Sequence, residues 1–381
     1  MKRLWIILAV LILLFSYLPV WGRAAEPEPE AKSAVLMDVN TGTVLYEKNA
    51  HEALPPASVT KVMTMLLIME ALDDGRIGWE DTVTASEAAA AKGGSQVYLK
   101  VGETMSVTDM LKSIAVSSAN DCACAMAEKI AGSEGAFVDL MNSRAKELGM
   151  NDTHFVNCTG LDDSEEAKNH RTSAYDIALM SRQLLRHHPK IREFTTIWMD
   201  TIRDGAFGLS NTNKLIRFYP GATGLKTGFT SGAGYCLSAS AEREGLGLIA
   251  VVMGCESANV RNAACKAMLD QGFANFAVIS PEAPEVSVPV KLGAAEQVWL
   301  VPESELELLV DKAKKDSVTA DVTLEESVSA PVQKGQALGT LTLSSPEGVL
   351  AQVPLVAADG VERLAWWELT VLVLRKCAMA K

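Results

Sequence analysis

The chain has 381 residues, of which 35 are lysine or arginine and 47 are aspartate or glutamate. The net charge of −12 argues against a nucleic-acid partner, because phosphate backbones require a basic protein face. The five histidines are scattered, and the sequence contains no CxxC pair and no HExxH motif, so we predict no metal site and no cofactor.

The first 24 residues have the composition of a secretory signal peptide. Two basic residues precede an apolar run from Leu4 to Leu18, and Gly22 and Ala24 suit a cleavage site after Ala24. A retained amino-terminal anchor is the alternative, and both interpretations predict export. Most of the seven cysteines have apolar or small neighbours, so we expect reduced, structural thiols.

The segments SAVLMDV, NTG and TVLYEKN predict two strands joined by a turn. The apolar run from Val62 to Leu72 predicts a buried helix. Farther on, VTDMLKSIAVS and NDCACAMAEKIAG predict two helices that meet near Ser118. YCLSASAER and LGLIAVVMG predict a hairpin, which a last helix at residues 257–277 follows. The expected fold class is therefore α+β, an antiparallel sheet flanked by helices, with an α-rich insertion.

The composition changes near residue 279, where prolines and short alternating segments predict a small all-β domain that extends to residue 361. We therefore predict a first domain at 25–278, a β-rich domain at 279–361 and a tail at 362–381. The apolar part of the tail would span only about 16 Å as a helix, well short of the roughly 30 Å hydrocarbon core. Paired tryptophans and terminal basic residues predict an amphipathic helix on the membrane surface; a helix docked on the β-rich domain is the alternative.

Ser58 and Lys61 lie three residues apart at the start of the buried helix. A serine hydroxyl is a weak nucleophile that needs a base within hydrogen-bond reach, and a neutral lysine amine can serve. Helical geometry places such a pair side by side. The pKa of Lys61 must fall for this role, and burial or a second nearby cation would lower it. The alternative is that Ser58 caps the helix and Lys61 reaches solvent.

Two further motifs occur downstream. Ser118-Ala119-Asn120 occupies the joint between two predicted helices, where the alternative role of Asn120 is a helix cap. Lys226-Thr227-Gly228 falls on a predicted strand, where the alternative is an edge strand with an ordinary surface lysine. Motifs of the types SxxK, SxN and KTG are found in β-lactamases and penicillin-binding proteins.

These motifs stand within the phrases PPASVTKVMT, SSANDCACAMAE, NCTGLD, NHRTSAYDIALM and GLKTGFTSGAGYCL. With them, the chain resembles the serine-type D-alanyl-D-alanine carboxypeptidases, which are low-molecular-mass penicillin-binding proteins. The resemblance implies a penicillin-binding or β-lactamase-like transpeptidase fold for the first domain. It also implies peptidoglycan stem peptides ending in D-Ala-D-Ala as substrates and β-lactam antibiotics as ligands. The signal peptide and the tail together predict peripheral attachment to the extracytoplasmic face of the membrane.

The resemblance also gives roles to the matching residues. Ser58 would attack the carbonyl of the penultimate D-alanine, Lys61 would take its proton, and Ser118 would relay a proton to the departing D-alanine. The remaining motif positions would bind substrate: Asn120, Lys226, Thr227, Gly228 and Phe229. The backbone N–H groups of Ser58 and Phe229 would form the oxyanion hole.

One position departs from the family pattern. Some members have an arginine upstream of the KTG strand that grips the substrate carboxylate, whereas Thr212 stands there in this chain. Lys214 and Arg217 are candidate replacements.

Three other functions are alternatives. A class A β-lactamase would have Ser-Asp-Asn and a glutamate loop that speeds deacylation. A non-catalytic wall-binding protein would not need every catalytic position intact. A Ser-His-Asp hydrolase would be expected to have a GxSxG elbow.

Overall fold

The computed structural model describes residues 28–282, 284–304 and 306–371. The predicted signal peptide and the tail beyond residue 371 lie outside the described residues. Residues 366–371 are helical, and Trp366 and Trp367 are exposed. No helix within the described ranges is long and apolar enough to cross a membrane.

The first domain combines short and long elements of both types. Its strands are β1 (Ser33–Asp38), β2 (Val44–Lys48), β3 (Thr82–Thr84), β4 (Thr104–Ser106), β5 (Met199–Ile202), β6 (Phe207–Ser210), β7 (Ala222–Thr230), β8 (Gly234–Arg243), β9 (Leu246–Cys255) and β10 (Phe276–Ile279). Its helices are α1 (Lys61–Asp73), α2 (Glu87–Ala90), α3 (Val107–Ser117), α4 (Asn120–Ala131), α5 (Glu134–Glu147), α6 (Ala174–His187), α7 (Arg192–Thr195), α8 (Leu215–Phe218) and α9 (Ala258–Asn275). The paired strands, buried helix, hairpin and last helix that the sequence predicts are all present.

The central sheet has the strand order β2-β1-β9-β8-β7, and every neighbouring pair is antiparallel. Side chains of β1 alternate between two cores, because successive residues of a strand face opposite sides of the sheet. Val35 and Met37 contribute to one core, which includes residues of α6. Leu36 contributes to the other core, which includes residues of α9. A sheet covered by helices on both faces confirms the predicted α+β class.

Helix α1 lies inside the domain, where it contacts α3, α4, α5 and α6 as well as β7. Every residue from Lys61 to Met69 is buried. A helix enclosed on all sides is apolar around its whole circumference, which explains the uninterrupted apolar run in the sequence. The same enclosure removes the one lysine at its start from solvent.

The β-rich domain that the sequence predicts is also present. Its strands are β11 (Val286–Lys291), β12 (Gln297–Pro302), β13 (Leu308–Asp311), β14 (Thr319–Leu324), β15 (Val328–Ser329), β16 (Ala337–Ser345) and β17 (Gly348–Ala357). Six of them form a sheet in the order β14-β16-β17-β12-β11-β15, over a core of its own. Strand β13 instead pairs with β10, and Leu309 packs with Val278 against the core that includes α9.

Candidate active site

Ser58 lies in the 3-10 turn Ala57–Thr60, here called the nucleophile turn, and α1 begins directly after it. The Lys61 Nζ atom is 3.0 Å from the Ser58 Oγ atom. It also donates a hydrogen bond to the carbonyl oxygen of Thr159 over 2.8 Å. Ser58 caps neither the turn nor the helix, and Lys61 is 0% exposed. The alternative of a helix cap beside a solvent-exposed lysine is therefore wrong.

Burial is the main influence on the Lys61 amine. It lowers the pKa of Lys61 from 10.5 to about 7, although Cys158 and Asp121 nearby favour the charged form. A large fraction of the amine is therefore neutral at neutral pH, as a base for the adjacent hydroxyl must be.

Lys226 lies on β7 and is also almost completely buried. Its Nζ atom donates to the carbonyl oxygen of Thr227 over 2.9 Å. Burial lowers the pKa of Lys226 well below its ordinary value, and repulsion from Lys61 and Arg261 lowers it further. The sequence predicts that burial and a second cation both neutralise Lys61, and burial is the cause that lowers the pKa of Lys61 here. Since the repulsion between two amines is mutual, the pair resists carrying two protons at once.

Ser118 forms the joint between α3 and α4. Its backbone has φ 63°, in the left-handed region that residues other than glycine rarely adopt. Its Oγ atom is buried and has no hydrogen-bond partner among the described residues. Both features cost folding free energy, and such costs cluster at functional sites.

Asn120 is the first residue of α4, and Ala119 occupies the N-cap position without a side-chain hydrogen bond. The interpretation of Asn120 as a helix cap is therefore wrong. Its side-chain Nδ2 atom donates to the carbonyl oxygen of Gly93 over 2.7 Å. Its Oδ1 atom is buried and accepts no hydrogen bond within the described part of the chain. The side-chain amide of Asn120 is thus fixed through its nitrogen, and its oxygen is available to accept a hydrogen bond.

Gly228 allows β7 to pass very close to the nucleophile turn. A Cβ atom at this position would lie 2.6 Å from the Pro56 carbonyl oxygen and 3.1 Å from the Val59 nitrogen. Only glycine permits such an approach of two backbones. Strand β7 is an edge strand of the central sheet, but Lys226 is buried, so the alternative of an ordinary surface lysine is wrong.

The remaining predicted positions follow on the same strand and beside it. The side chain of Phe229 is 54% exposed, and its ring centroid lies 4.3 Å from that of Tyr235. The Thr227 hydroxyl donates to the Thr212 hydroxyl over 2.7 Å. Lys214 and Arg217 are exposed, and neither forms a hydrogen bond or ion pair with a motif residue in the described ranges.

The loop that contains Thr159 and Gly160 closes over the nucleophile turn, a contact that the sequence did not predict. Besides the Thr159 carbonyl, it supplies Gly160, whose backbone has φ +80°. A Cβ atom on Gly160 would lie 1.8 Å from the Ala57 carbonyl oxygen. The Gly160 N–H donates to Asn157 Oδ1 over 2.7 Å, a local bond typical of asparagine in turns. An Asn and a Gly at this spacing were the available sequence signal.

His170 was missed as well. It is buried, and its Nε2 atom lies 2.8 Å from the Thr60 hydroxyl of the nucleophile turn. Its Nδ1 atom accepts from the Val156 N–H over 3.1 Å. The histidine occurs in the phrase NHRTSAYDIALM, but its neighbours in sequence do not reveal a contact with a residue 110 positions away.

The described residues contain no group of three or more histidine, cysteine, aspartate or glutamate side chains that could hold a metal ion. Six cysteines in the described part of the chain are free and buried, as expected for structural thiols: Cys122, Cys124, Cys158, Cys236, Cys255 and Cys265.

Comparisons with known proteins agree with the motif geometry. A family model described as D-alanyl-D-alanine carboxypeptidase matches residues 22–257, and a model of the penicillin-binding protein 5 C-terminal domain matches residues 273–363. The D-alanyl-D-alanine carboxypeptidase DacF of Bacillus subtilis is 44% identical over 376 residues, which cover 95% of each chain. The chain belongs to the D-alanyl-D-alanine carboxypeptidase family. Members of this family are extracytoplasmic cell-wall enzymes.

Solved penicillin-binding proteins share the fold of this carboxypeptidase. Penicillin-binding protein 5 from Haemophilus influenzae is 32% identical, with a TM-score of 0.75 over 88% of this chain and 99% of that one. Penicillin-binding protein D2 from Listeria monocytogenes, solved in an ampicillin-bound form, is 33% identical, with a TM-score of 0.59 over 65% and 98%. These matches confirm the predicted fold class and the serine-peptidase class of activity. They do not favour a β-lactamase or a non-catalytic wall-binding protein.

Proposed function

We propose that this carboxypeptidase removes the terminal D-alanine from peptidoglycan stem pentapeptides through an acyl-enzyme on Ser58. The observation that carries the proposal is the 3.0 Å contact between Ser58 Oγ and the buried Lys61 amine, whose pKa is about 7. Activation of a serine requires a neutral base within hydrogen-bond reach, and this contact supplies one.

In the acylation step, Ser58 Oγ attacks the carbonyl carbon of the penultimate D-alanine while Lys61 takes the hydroxyl proton. Negative charge develops on the carbonyl oxygen, where the N–H groups of Ser58 and Phe229 stabilise it. The close passage of β7 at Gly228 supports this pairing of donors from the turn and the strand. Ser118 relays a proton to the departing nitrogen as the C–N bond breaks. Water then hydrolyses the ester, which releases the shortened peptide and regenerates Ser58.

Substrate binding is assigned to Lys226, Thr227 and Asn120. The terminal carboxylate binds Lys226 and Thr227, and its negative charge favours the protonated form of Lys226. A protonated Lys226 in turn disfavours a proton on Lys61. The free Asn120 Oδ1 accepts from an amide N–H of the bound peptide. Substrate binding therefore helps to prepare the base.

We propose the same acylation for β-lactam antibiotics, because their strained amide presents a carbonyl near a carboxylate. The relative from Listeria monocytogenes solved in an ampicillin-bound form supports this assignment.

Two measurements on the purified full chain test the function. With a synthetic pentapeptide ending in D-Ala-D-Ala, we expect release of one D-alanine per peptide. With penicillin, we expect a single adduct by intact mass, located on Ser58 by peptide mapping. Ser58→Ala should abolish both signals, and Lys61→Ala should fold normally but acylate far more slowly. An adduct that persists in Ser58→Ala, or no D-alanine from the wild type, overturns the proposal.

We further propose cleavage after Ala24, a domain boundary between residues 278 and 279, and peripheral membrane attachment through residues 362–381. The exposed side chains of Trp366 and Trp367 at the start of the tail support the attachment. Truncation after residue 361 should release the signal-processed protein from membranes with its peptidase activity retained. A truncated, processed protein that stays on membranes overturns the assignment of the tail.

A further inference from the structure

The Ala57–Ser58 peptide links the interior of the domain to the proposed oxyanion hole. This peptide is trans, so the Ala57 carbonyl and the Ser58 N–H point in opposite directions. Whatever fixes the carbonyl therefore fixes the direction of the N–H. No described residue accepts a hydrogen bond from the Ser58 N–H.

The backbone at this peptide does not adopt its conformation by local preference. Ala57 has φ 50°, in the left-handed region that is unfavourable for a residue with a Cβ atom. Such a conformation persists only where surrounding contacts enforce it. The structure therefore has to contain an element that holds Ala57.

A side-chain hydrogen bond and a close backbone contact, both from described residues, hold the Ala57 carbonyl. The Thr60 hydroxyl donates to its oxygen over 2.8 Å, and this bond is buried. The backbone of Gly160 packs against the same oxygen, so closely that a Cβ atom there would lie 1.8 Å away. One contact supplies a hydrogen bond and the other supplies a steric wall.

His170 determines the direction in which the Thr60 hydroxyl points. Because Nδ1 accepts from the Val156 N–H, the neutral ring carries its proton on Nε2 and donates to Thr60 Oγ1. Thr60 Oγ1 is then left to donate its own hydrogen to Ala57. Burial lowers the pKa of His170 to about 4, with His154, Arg171 and Lys61 acting in the same direction. The ring is therefore neutral near pH 7, so His170 donates to Thr60 and Thr60 donates to the Ala57 carbonyl.

We propose that Thr60 and His170 are positioning residues that aim the Ser58 N–H at the carbonyl oxygen of the scissile bond. The inference rests on the proposed acyl-enzyme at Ser58. Neither side chain touches the reacting atoms; each acts through the Ala57 carbonyl. Loss of either one lets the peptide rotate and weakens an interaction that is strongest in the transition state.

The decisive experiment compares Thr60→Val with Thr60→Ser by rapid-mixing kinetics of penicillin acylation. Valine has nearly the shape of threonine but has no hydroxyl, whereas serine retains the donor. We expect Thr60→Val to reduce the acylation rate constant about 10-fold or more, because oxyanion-hole donors act mainly on the transition state. The dissociation constant of the initial non-covalent complex should stay within about twofold, and Thr60→Ser should restore most of the rate.

Thr64→Val is the matched control. Thr64 lies one turn later on α1, is equally buried, and donates to the Cys158 carbonyl over 2.6 Å. Thr64→Val should lose about as much thermal stability as Thr60→Val while it is acylated at nearly the wild-type rate. Equal slowing in Thr60→Val and Thr64→Val, or no slowing in Thr60→Val, overturns the inference. A wild type that is not acylated at Ser58 instead overturns the proposed function.

A double-variant comparison tests whether His170 acts through Thr60. His170→Phe keeps an aromatic ring against Phe155 but removes both nitrogen atoms. It should slow acylation in the same direction as Thr60→Val. The double variant should be no slower than Thr60→Val alone, because both changes break one chain of contacts. Effects that multiply would overturn the indirect role of His170. If His170→Phe does not fold, the Thr60 and Thr64 variants decide the proposal by themselves.

Discussion

The Thr227 hydroxyl donates to the Thr212 hydroxyl over 2.7 Å, which joins the KTG strand to the segment between β6 and α8. Some family members place an arginine at the position of Thr212. A threonine there offers a hydroxyl but no positive charge, so in the proposed mechanism Lys226 provides the charge that binds the substrate carboxylate.

Thr212→Arg should therefore strengthen substrate binding. A charge-assisted hydrogen bond to the carboxylate should lower KM for a D-Ala-D-Ala peptide about 10-fold and leave kcat nearly unchanged, because it acts on ground state and transition state alike. Steady-state D-alanine release measures both constants. Lys214→Ala and Arg217→Ala serve as controls and should change KM by less than about twofold. A large rise in KM in either control would show that this residue already binds the carboxylate.

The acylation rate should follow the charge of Lys61. Only the neutral amine accepts a proton, and the pKa of Lys61 is about 7. We therefore expect the rate of penicillin acylation to rise with pH about 10-fold per unit below pH 7 and to level off above it. Stopped-flow acylation across the pH range of stable folding measures the profile, and Lys61→Arg should remain slow throughout. Equal rates in the wild type at pH 5.5 and pH 8 would exclude Lys61 as the base.

Lys61 should also lower the stability of the folded protein. Between about pH 7 and 10.5 the unfolded chain holds a proton on Lys61 that the folded chain releases, so the free energy of unfolding rises with pH over this interval. Lys61→Met keeps a long side chain and removes the amine. We expect it to be more stable than the wild type by roughly 2 kcal/mol at pH 7, with a smaller difference near pH 10.

Urea denaturation at the two pH values measures that difference. Lys146→Met, at an exposed position of α5, is the control and should show no comparable dependence on pH. A Lys61→Met variant that is less stable than the wild type at pH 7 would contradict the prediction.

Several parts of this site were predictable because they depend on local geometry. Ser58 and Lys61 meet because they lie three residues apart across a turn and the first residue of a helix. The joint at Ser118 is visible as a break between two helical patterns. In the first case the sequence spacing determines which side chains face each other, and in the second it marks where one helix ends.

Other parts depend on contacts that sequence spacing does not encode. The Thr159 carbonyl that binds Lys61 is 98 positions away and belongs to the backbone, so no residue type marks it. The contact between His170 and Thr60 likewise requires the tertiary fold. The alternative role of Asn120 was wrong, because asparagine before a helix is usually a cap, whereas here its amide holds the Gly93 carbonyl.

Ser118 should show a conflict between stability and activity. Ser118→Gly relieves the left-handed backbone and removes a buried hydroxyl that has no partner among the described residues, so the free energy of unfolding should rise by about 1 kcal/mol. D-alanine release should fall about 100-fold, because the leaving nitrogen loses its proton donor. Thermal denaturation and a D-alanine assay measure the two effects.

Ser113→Gly is the matched control, because Ser113 lies inside α3 and its hydroxyl donates to the Asp109 carbonyl. It should lower stability, as glycine does in a helix interior. The prediction fails if both substitutions destabilise the protein equally.

The pairing of β10 with β13 has a mechanical consequence for the whole enzyme. The chain enters the β-rich sheet at β11, returns to pair β13 with β10, and enters the sheet again at β14. Leu309 on the returning strand packs against the core that includes α9. Rotation of one domain relative to the other would have to break the hydrogen bonds between β10 and β13, and could not occur about a single linker. If a protease cuts the chain once between β10 and β11, the two fragments should therefore co-migrate until a denaturant separates them.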